Sequence, residues 1–251
     1  MVYKWDLHIP KLSPELSRRA YLYLPAGYDE QPDRHFPVMY MFDGHNVFFD
    51  EDATYGKSWG MARYLDETQT QLIVAAVECN SIGNNRLEEY CPFTCEDPRL
   101  GVIRGRGRAT MNWFVHEFKP MIDASIRTLS DRSNTFIGGS SMGGLMSLYA
   151  ATAFNATFGK AACLSPSLWL GAGKMRRIIN QADIAPDTLI YMDYGGEEMA
   201  NHAANLSALT SCSTALLKKG VDLTFRIAPG GSHCEASWER QIPVFMKCLG
   251  F

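Results

Sequence analysis

Two six-residue stretches, Pro37–Phe42 (PVMYMF) and Leu72–Val77 (LIVAAV), are apolar at nearly every position. A strand with one wet face alternates polar and apolar residues, whereas a strand apolar on both faces must be covered on both. Such strands belong to parallel sheets layered between helices, and the rest of the chain fits that plan. Short strand-like runs at Thr135–Gly138, Lys160–Leu164, Leu189–Asp193 and Leu223–Ala228 alternate with helical stretches at Ser141–Phe154, Met199–Lys219 and Glu235–Leu249. Thr110–Arg127 adds a helix, with Trp113, Phe114, Phe118, Met121 and Ile122 at helical spacing. Tyr3–Ile9 and Arg18–Leu24 predict an antiparallel hairpin at one sheet edge. The expected fold is therefore α/β: one domain over residues 1–251, with a mostly parallel central sheet, an antiparallel N-terminal edge and helices on both faces. The irregular stretches Phe42–Ser58 and Asn80–Arg108 are long for loops of a compact domain, and loops of that kind tend to carry function.

Charge and composition exclude several classes of partner. A formal net charge of -3 gives no general field for polyanions, so nucleic acid is not an expected partner. No apolar run approaches the roughly 20 residues that cross a bilayer, and the N-terminus lacks a basic and apolar leader, so no membrane association and a cytoplasmic location are expected. The seven cysteines are scattered, which reads as reduced thiols rather than a disulfide framework. Cys91 and Cys95 lack a second Cys or His pair nearby, so no metal is expected, and no cofactor motif is present.

The most chemically specific segment is FIGGSSMGGLMSLYA. Gly139-Ser140-Ser141-Met142-Gly143 fits G-x-S-x-G between a strand and a helix, the context that gives the pattern meaning. A nucleophile on a sharp strand-to-helix turn leaves no room for side chains two residues to either side. Gly139 and Gly143 supply that space around Ser141, and the turn aims the Met142 N–H and the helix dipole at a developing oxyanion. Ser140 has Gly138 and Met142 at the same offsets, a poorer fit.

A serine hydroxyl needs a base, and in this topology nucleophile, acid and histidine follow in that order. Of the two histidines after Ser141, His233 lies in a glycine-rich loop after the last strand, on the same sheet edge as Ser141, whereas His202 lies within a helical stretch. The acid should follow the penultimate strand, where DYGGEEM offers Asp193, Glu197 and Glu198; charge and position alone do not separate the two glutamates. A second oxyanion donor is expected after Pro37–Phe42, where Gly44 permits an unusual backbone and the N–H of His45 is the candidate.

These segments together resemble the esterase family of α/β-hydrolases that contains enterochelin, feruloyl and acetyl-xylan esterases, esterase D and mycolyltransferases. The stretches that carry the resemblance are YMFDGHNVF, SWGM, NRLEEYCPF, FKPMID with RTLSDRSNTFIGGSSMGGLMSLYA, LSPSLW, IYMDYGGEEM and PGGSHCEASW. The resemblance implies an α/β-hydrolase fold and a Ser141–His233–acid triad. Its Gly-x-x-acid turn matches Gly195-Gly196-Glu197-Glu198 and selects Glu198 as the acid.

The resemblance implies hydrolysis of carboxylic esters through an acyl-enzyme, on small-molecule or oligosaccharide substrates of carbohydrate, phenolic or siderophore-like type. Acyl transfer with the same triad and a non-catalytic binding protein on the same fold are the alternatives; a homo-oligomer is compatible with either. Trp169, Asp43 and Arg86 are the candidate substrate contacts. Trp169 follows a strand at the catalytic edge, Asp43 lies in the oxyanion loop, and Arg86 lies in the long loop. Arg104, Arg106 and Arg108 in that loop are candidates for facing an anionic substrate, although charge runs more often form a solvated loop or an intersubunit contact. Trp59 and Trp113 are candidates for lining a pocket, although such residues more often pack in the core.

Overall fold

The computed structural model describes residues 1–198 and 202–251. Its eight-stranded sheet consists of β1 (Val2–Ile9), β2 (Ser13–Tyr23), β3 (Val38–Met41), β4 (Ile73–Val77), β7 (Thr135–Ser140), β8 (Lys160–Leu164), β9 (Leu189–Gly195) and β10 (Asp222–Ala228). The order across the sheet is β1-β2-β4-β3-β7-β8-β9-β10. β1 pairs antiparallel with β2, and β2 with β4; every pair from β4 onward is parallel. This is the α/β-hydrolase architecture, with the antiparallel edge at the N-terminus.

The two apolar strands behave as their sequence requires. Val38 and Tyr40 of β3 join one apolar cluster, while Met39 and Met41 join the other on the opposite face. Ile73, Ala75 and Val77 of β4 likewise face the first, and Val74 and Ala76 the second. Period-two geometry thus places both sides of each strand in a core.

The helices are α1 (Met61–Thr68), α2 (Asn85–Glu89), α3 (Gly107–Trp113), α4 (Lys119–Ser125), α5 (Met142–Ala153), α6 (Ala172–Gln181), α7 (His202–Lys218), α8 (Glu235–Glu239) and α9 (Ile242–Leu249). Helix α5 is buried along its length from Met142 to Thr152, as suits the central helix behind the sheet. Phe245, Met246 and Leu249 of α9 pack on the opposite face with Trp59 and Trp238.

Three expectations need revision. The single helix over Thr110–Arg127 is instead α3 and α4 joined by a π turn at Phe114–Phe118, and it ends at Ser125. Pro120 cannot donate to the carbonyl of His116, and a widened turn just before it accommodates the missing bond. The C-terminal helix splits into α8 and α9, with Pro243 in the first turn of the second, where a proline N–H is not needed. Asn80–Arg108 is not wholly irregular: it holds α2 and a small antiparallel hairpin of β5 (Cys95–Asp97) and β6 (Gly101–Ile103). The expected helix Met199–Lys219 appears as α7; residues 199–201 lie outside the described residues.

Candidate active site

The parallel register brings the chemistry to one edge. Met41 of β3 lies opposite Gly138 of β7, Ser140 opposite Leu164 of β8, Leu164 opposite Asp193 of β9, and Gly195 opposite Ala228 of β10. The residues just beyond these pairs, Asp43 to His45, Ser141, Ser165, Glu198 and His233, therefore leave the sheet at its carboxyl edge, where open α/β sheets build their sites.

Ser141 is the residue between β7 and α5, and its backbone has φ 58° and ψ -118°. A non-glycine residue at positive φ is strained and is held there by its surroundings. Here Ser141 N–H donates to Leu164 O at 2.9 Å, and Ser141 O accepts from Ser167 N at 3.0 Å. A Cβ on Gly139 would stand 2.9 Å from the backbone of Gly143, so the two glycines are the close approach that the turn demands. The Ser141 hydroxyl lies 2.9 Å from His233 Nε2, and His233 Nδ1 lies 3.0 Å from Glu198 Oε2.

Glu198 is only 3% exposed, and its other oxygen is fully engaged. Glu198 Oε1 accepts from the Gly195 N–H at 3.0 Å and from the Ser165 hydroxyl. Ser165 in turn accepts from Trp238 Nε1 at 3.1 Å, and the Trp238 ring meets the edge of the His233 imidazole at a centroid distance of 5.0 Å. Ser165 was not among the sequence candidates. It sits at φ 44° immediately before Pro166, and a Ser-Pro pair at the carboxyl end of a strand is the only sequence sign of it.

Glu197 is exposed. Asp193 is buried behind the site, accepting from Tyr191 Oη at 2.8 Å and Ser165 N at 3.1 Å, and burial pushes its carboxyl up to about 6. His202 opens α7 with Nδ1 3.5 Å from Tyr194 Oη.

On the facing loop Asp43 takes a left-handed conformation, φ 54°, and a 3₁₀ turn over Gly44–Asn46 follows. Among the described residues, neither the His45 N–H nor the Met142 N–H finds an intramolecular acceptor. Asp43 and Arg86 are joined to each other: Arg86 Nε and Nη2 donate to the two Asp43 oxygens at 2.7 and 2.8 Å. Burial pushes the Asp43 carboxyl up, but the Arg86 guanidinium outweighs it and holds the group below the usual carboxylate range. Arg86 lines the pocket over Ser141, while Asp43 is buried beneath it.

That pocket has a volume of about 550 Å³, within the usual range of small-molecule sites, and its wall includes His45, Arg86, Ser141, His233, Glu235 and Trp238. Trp169 instead borders a separate cavity of about 10 Å³ beside His233 and Glu198, room for about one water. Trp59 and Trp113 are packed in the two cores. Arg104, Arg106 and Arg108 are not part of the pocket wall, and the Arg106 guanidinium donates to Lys11 O and Leu12 O.

Asp43, His45 and Cys79 offer three ligand atoms within 4.8 Å of one another. Both Asp43 oxygens are held by Arg86, and burial pushes the Cys79 thiol up, so this trio does not present the anionic donor set that a divalent metal needs. Among the described residues no helix is long and apolar enough to cross a membrane.

Residues 13–247 match the model of the family described as "Putative esterase". The uncharacterized protein YbbA of Bacillus subtilis (strain 168) is 26% identical over 185 residues, covering 72% of this chain and 69% of that protein. An IroE-like serine hydrolase from Shewanella oneidensis superposes with a TM-score of 0.76 at 18% identity, covering 99% of this chain and 79% of that one. A ferulic acid esterase superposes with a TM-score of 0.70 at 16% identity, covering 100% of this chain and 98% of the other. At these identities the solved structures speak to the fold, and the family match speaks to the chain. The chain belongs to this esterase family, as a carboxylic-ester hydrolase on the α/β-hydrolase fold.

Proposed function

We propose that the chain hydrolyses small carboxylic esters through a covalent acyl-enzyme, with Ser141 as nucleophile, His233 as general base and acid, and Glu198 as the orienting carboxylate. The observation that carries this reading is the unbroken hydrogen-bonded line from Glu198 through His233 to Ser141, at 3.0 and 2.9 Å, on a strained serine at the head of α5.

In the first half-reaction Ser141 Oγ attacks the ester carbonyl while His233 Nε2 takes its proton. The imidazolium so formed lies against Glu198 Oε2. The carbonyl oxygen becomes an oxyanion, and the His45 and Met142 amides, which have no acceptor among the described residues, are its proposed donors. Collapse of the intermediate breaks the bond to the alcohol, which leaves with the proton from His233. Water then repeats the sequence against the acyl-Ser141 ester and releases the acid. Substrates of carbohydrate, phenolic or siderophore-like type fit a pocket of this size, with Arg86 on its wall.

The test is Ser141→Ala with an activated ester. Activity is expected to fall about 10⁴-fold or more while the circular dichroism spectrum is unchanged, because only binding and oxyanion stabilisation remain. A fluorophosphonate adduct is expected on Ser141. A folded variant that keeps its activity, or an adduct on Ser140, contradicts the reading.

A further inference from the structure

Glu235 stands two residues after His233, is 5% exposed, and lines the pocket that contains Ser141. Among the described residues no other residue donates a hydrogen bond to its carboxyl group; the one hydrogen bond that favours its ionised form comes from its own backbone amide. This sets it apart from the other carboxylates of the wall. Asp52 is paired with Lys4 and Arg19, and Glu78 accepts from the Arg19 N–H and Tyr21 Oη. Burial, with Asp43 nearby, raises the Glu235 carboxyl above its ordinary value, while His233 and His45 pull it the other way. A carboxyl on a cavity wall that takes no donor from the described residues can accept a hydrogen bond from a ligand group.

The rest of the wall indicates what kind of group that is. Arg86 spends Nε and Nη2 on Asp43 and keeps Nη1 without a partner among the described residues. Asn46 accepts from Thr54 N with its carbonyl, and its amide nitrogen has no partner among the described residues. Thr54, Asn80 and Ser81 add further polar groups to a lining that Tyr55, Cys79 and Trp238 make about half apolar. A cationic substrate would satisfy Glu235 and meet the Arg86 guanidinium; an anionic one would do the reverse. A neutral hydroxyl both donates and accepts, so a polyol satisfies both.

We propose that Glu235 is a specificity-determining residue that accepts a hydrogen bond from a substrate hydroxyl, so that the enzyme selects esters of polyhydroxylated compounds such as sugars and polyols. The proposal rests on the Ser141 ester-hydrolase reading.

The experiment compares two esters that differ only in hydroxyl groups, 2,3-dihydroxypropyl acetate and n-propyl acetate, and reads the ratio of their kcat/KM values. The wild type is expected to favour the dihydroxy ester. Glu235→Met is expected to lower the ratio about 10- to 100-fold, the usual effect of removing a charged hydrogen-bond partner from a bound hydroxyl. Glu235→Gln keeps a carbonyl acceptor in the same volume and guards against misfolding; it is expected to lower the ratio less than the methionine variant does. A ratio unchanged in both variants, even with lower rates on both esters, overturns the proposal while Ser141-dependent turnover leaves the underlying reading intact. A loss in Glu235→Gln as deep as in Glu235→Met overturns the neutral hydroxyl in favour of a cation. Turnover of both esters that survives Ser141→Ala overturns the proposal and the reading together.

Discussion

Glu197 and Glu198 are neighbours in sequence and opposites in environment. Glu197 is exposed, while Glu198 is buried with each oxygen committed, one to Gly195 and Ser165 and one to His233. An amide at 198 still accepts from Nδ1 but cannot offset the charge of the imidazolium. Glu198→Gln is therefore expected to lower kcat by about 10² to 10⁴, whereas Glu197→Gln leaves it near the wild-type value. Steady-state kinetics of both variants on one activated ester check this, and a dead Glu197→Gln protein reverses the assignment. Ser141 and His233, which the structure brings within 2.9 Å of each other, were candidates in the sequence because a turn flanked by glycines and a histidine after the last strand are local signals. The sequence could not separate the two glutamates, because which of them turns inward is decided by the contact between the loops after β9 and β10. The Ser165-Pro166 pair marks a turn in the sequence, but the contact of its hydroxyl with Glu198 depends on the same loop packing.

Asp193 gives the site a pH signature. Its folded-state pKa of about 6 lies above the ~3.9 of an unfolded aspartate. The folded chain therefore keeps a proton that the unfolded chain releases, and stability falls as pH rises from about 4 to 6. The shift corresponds to about 3 kcal/mol. Asp193→Asn keeps an acceptor for Ser165 N and removes the titration. The difference in stability between wild type and variant, followed by denaturant unfolding, is expected to move in the variant's favour across that window; a difference independent of pH speaks against the assignment.

At the scale of elements, the loop after β9 matters most. Gly195 lies so close to the loop after β10 that a Cβ there would stand 2.3 Å from Gly231 O. The same approach lets Gly196 N donate to Ala228 O and Glu197 N to Gly231 O, at 2.9 and 2.8 Å. These bonds fasten the acid loop to the histidine loop. Gly195→Ala is expected to part them and to lower kcat/KM about 10²-fold, the scale of a misplacement near 1 Å, with the chain still folded. Fluorophosphonate labelling should slow in parallel; labelling at the wild-type rate contradicts this account. The strands were legible in sequence because their apolar runs are short, dense and bounded. Helices α1 and α6 were not marked, since each buries little more than an i, i+4 pair: Met61 with Leu65, and Met175 with Ile179. Arg104, Arg106 and Arg108 of the long loop lie off the pocket wall, as a solvated basic loop would place them. A buried ion pair joins the loop to the sheet, where Arg18 Nη1 of β2 donates to Glu89 Oε2 of α2 at 2.7 Å.

The whole molecule has a direction in its strand order. From β7 onward each new strand is added beside the one before it, β8 on β7, β9 on β8 and β10 on β9. A chain emerging from the ribosome can extend such a sheet outward in the order of synthesis, without reopening any pair already made. The three residues of the site do not share this economy. Ser141 is delivered with β7, Glu198 only after β9, and His233 only after β10, 92 residues beyond the serine. In a refolding experiment, secondary structure is therefore expected to return before the capacity to react with a fluorophosphonate, which should track the slowest phase. A chain ending before β10 would hold its serine in the strained turn without a base beside it. Such an order of assembly keeps the newborn polypeptide chemically silent until its last strand is docked.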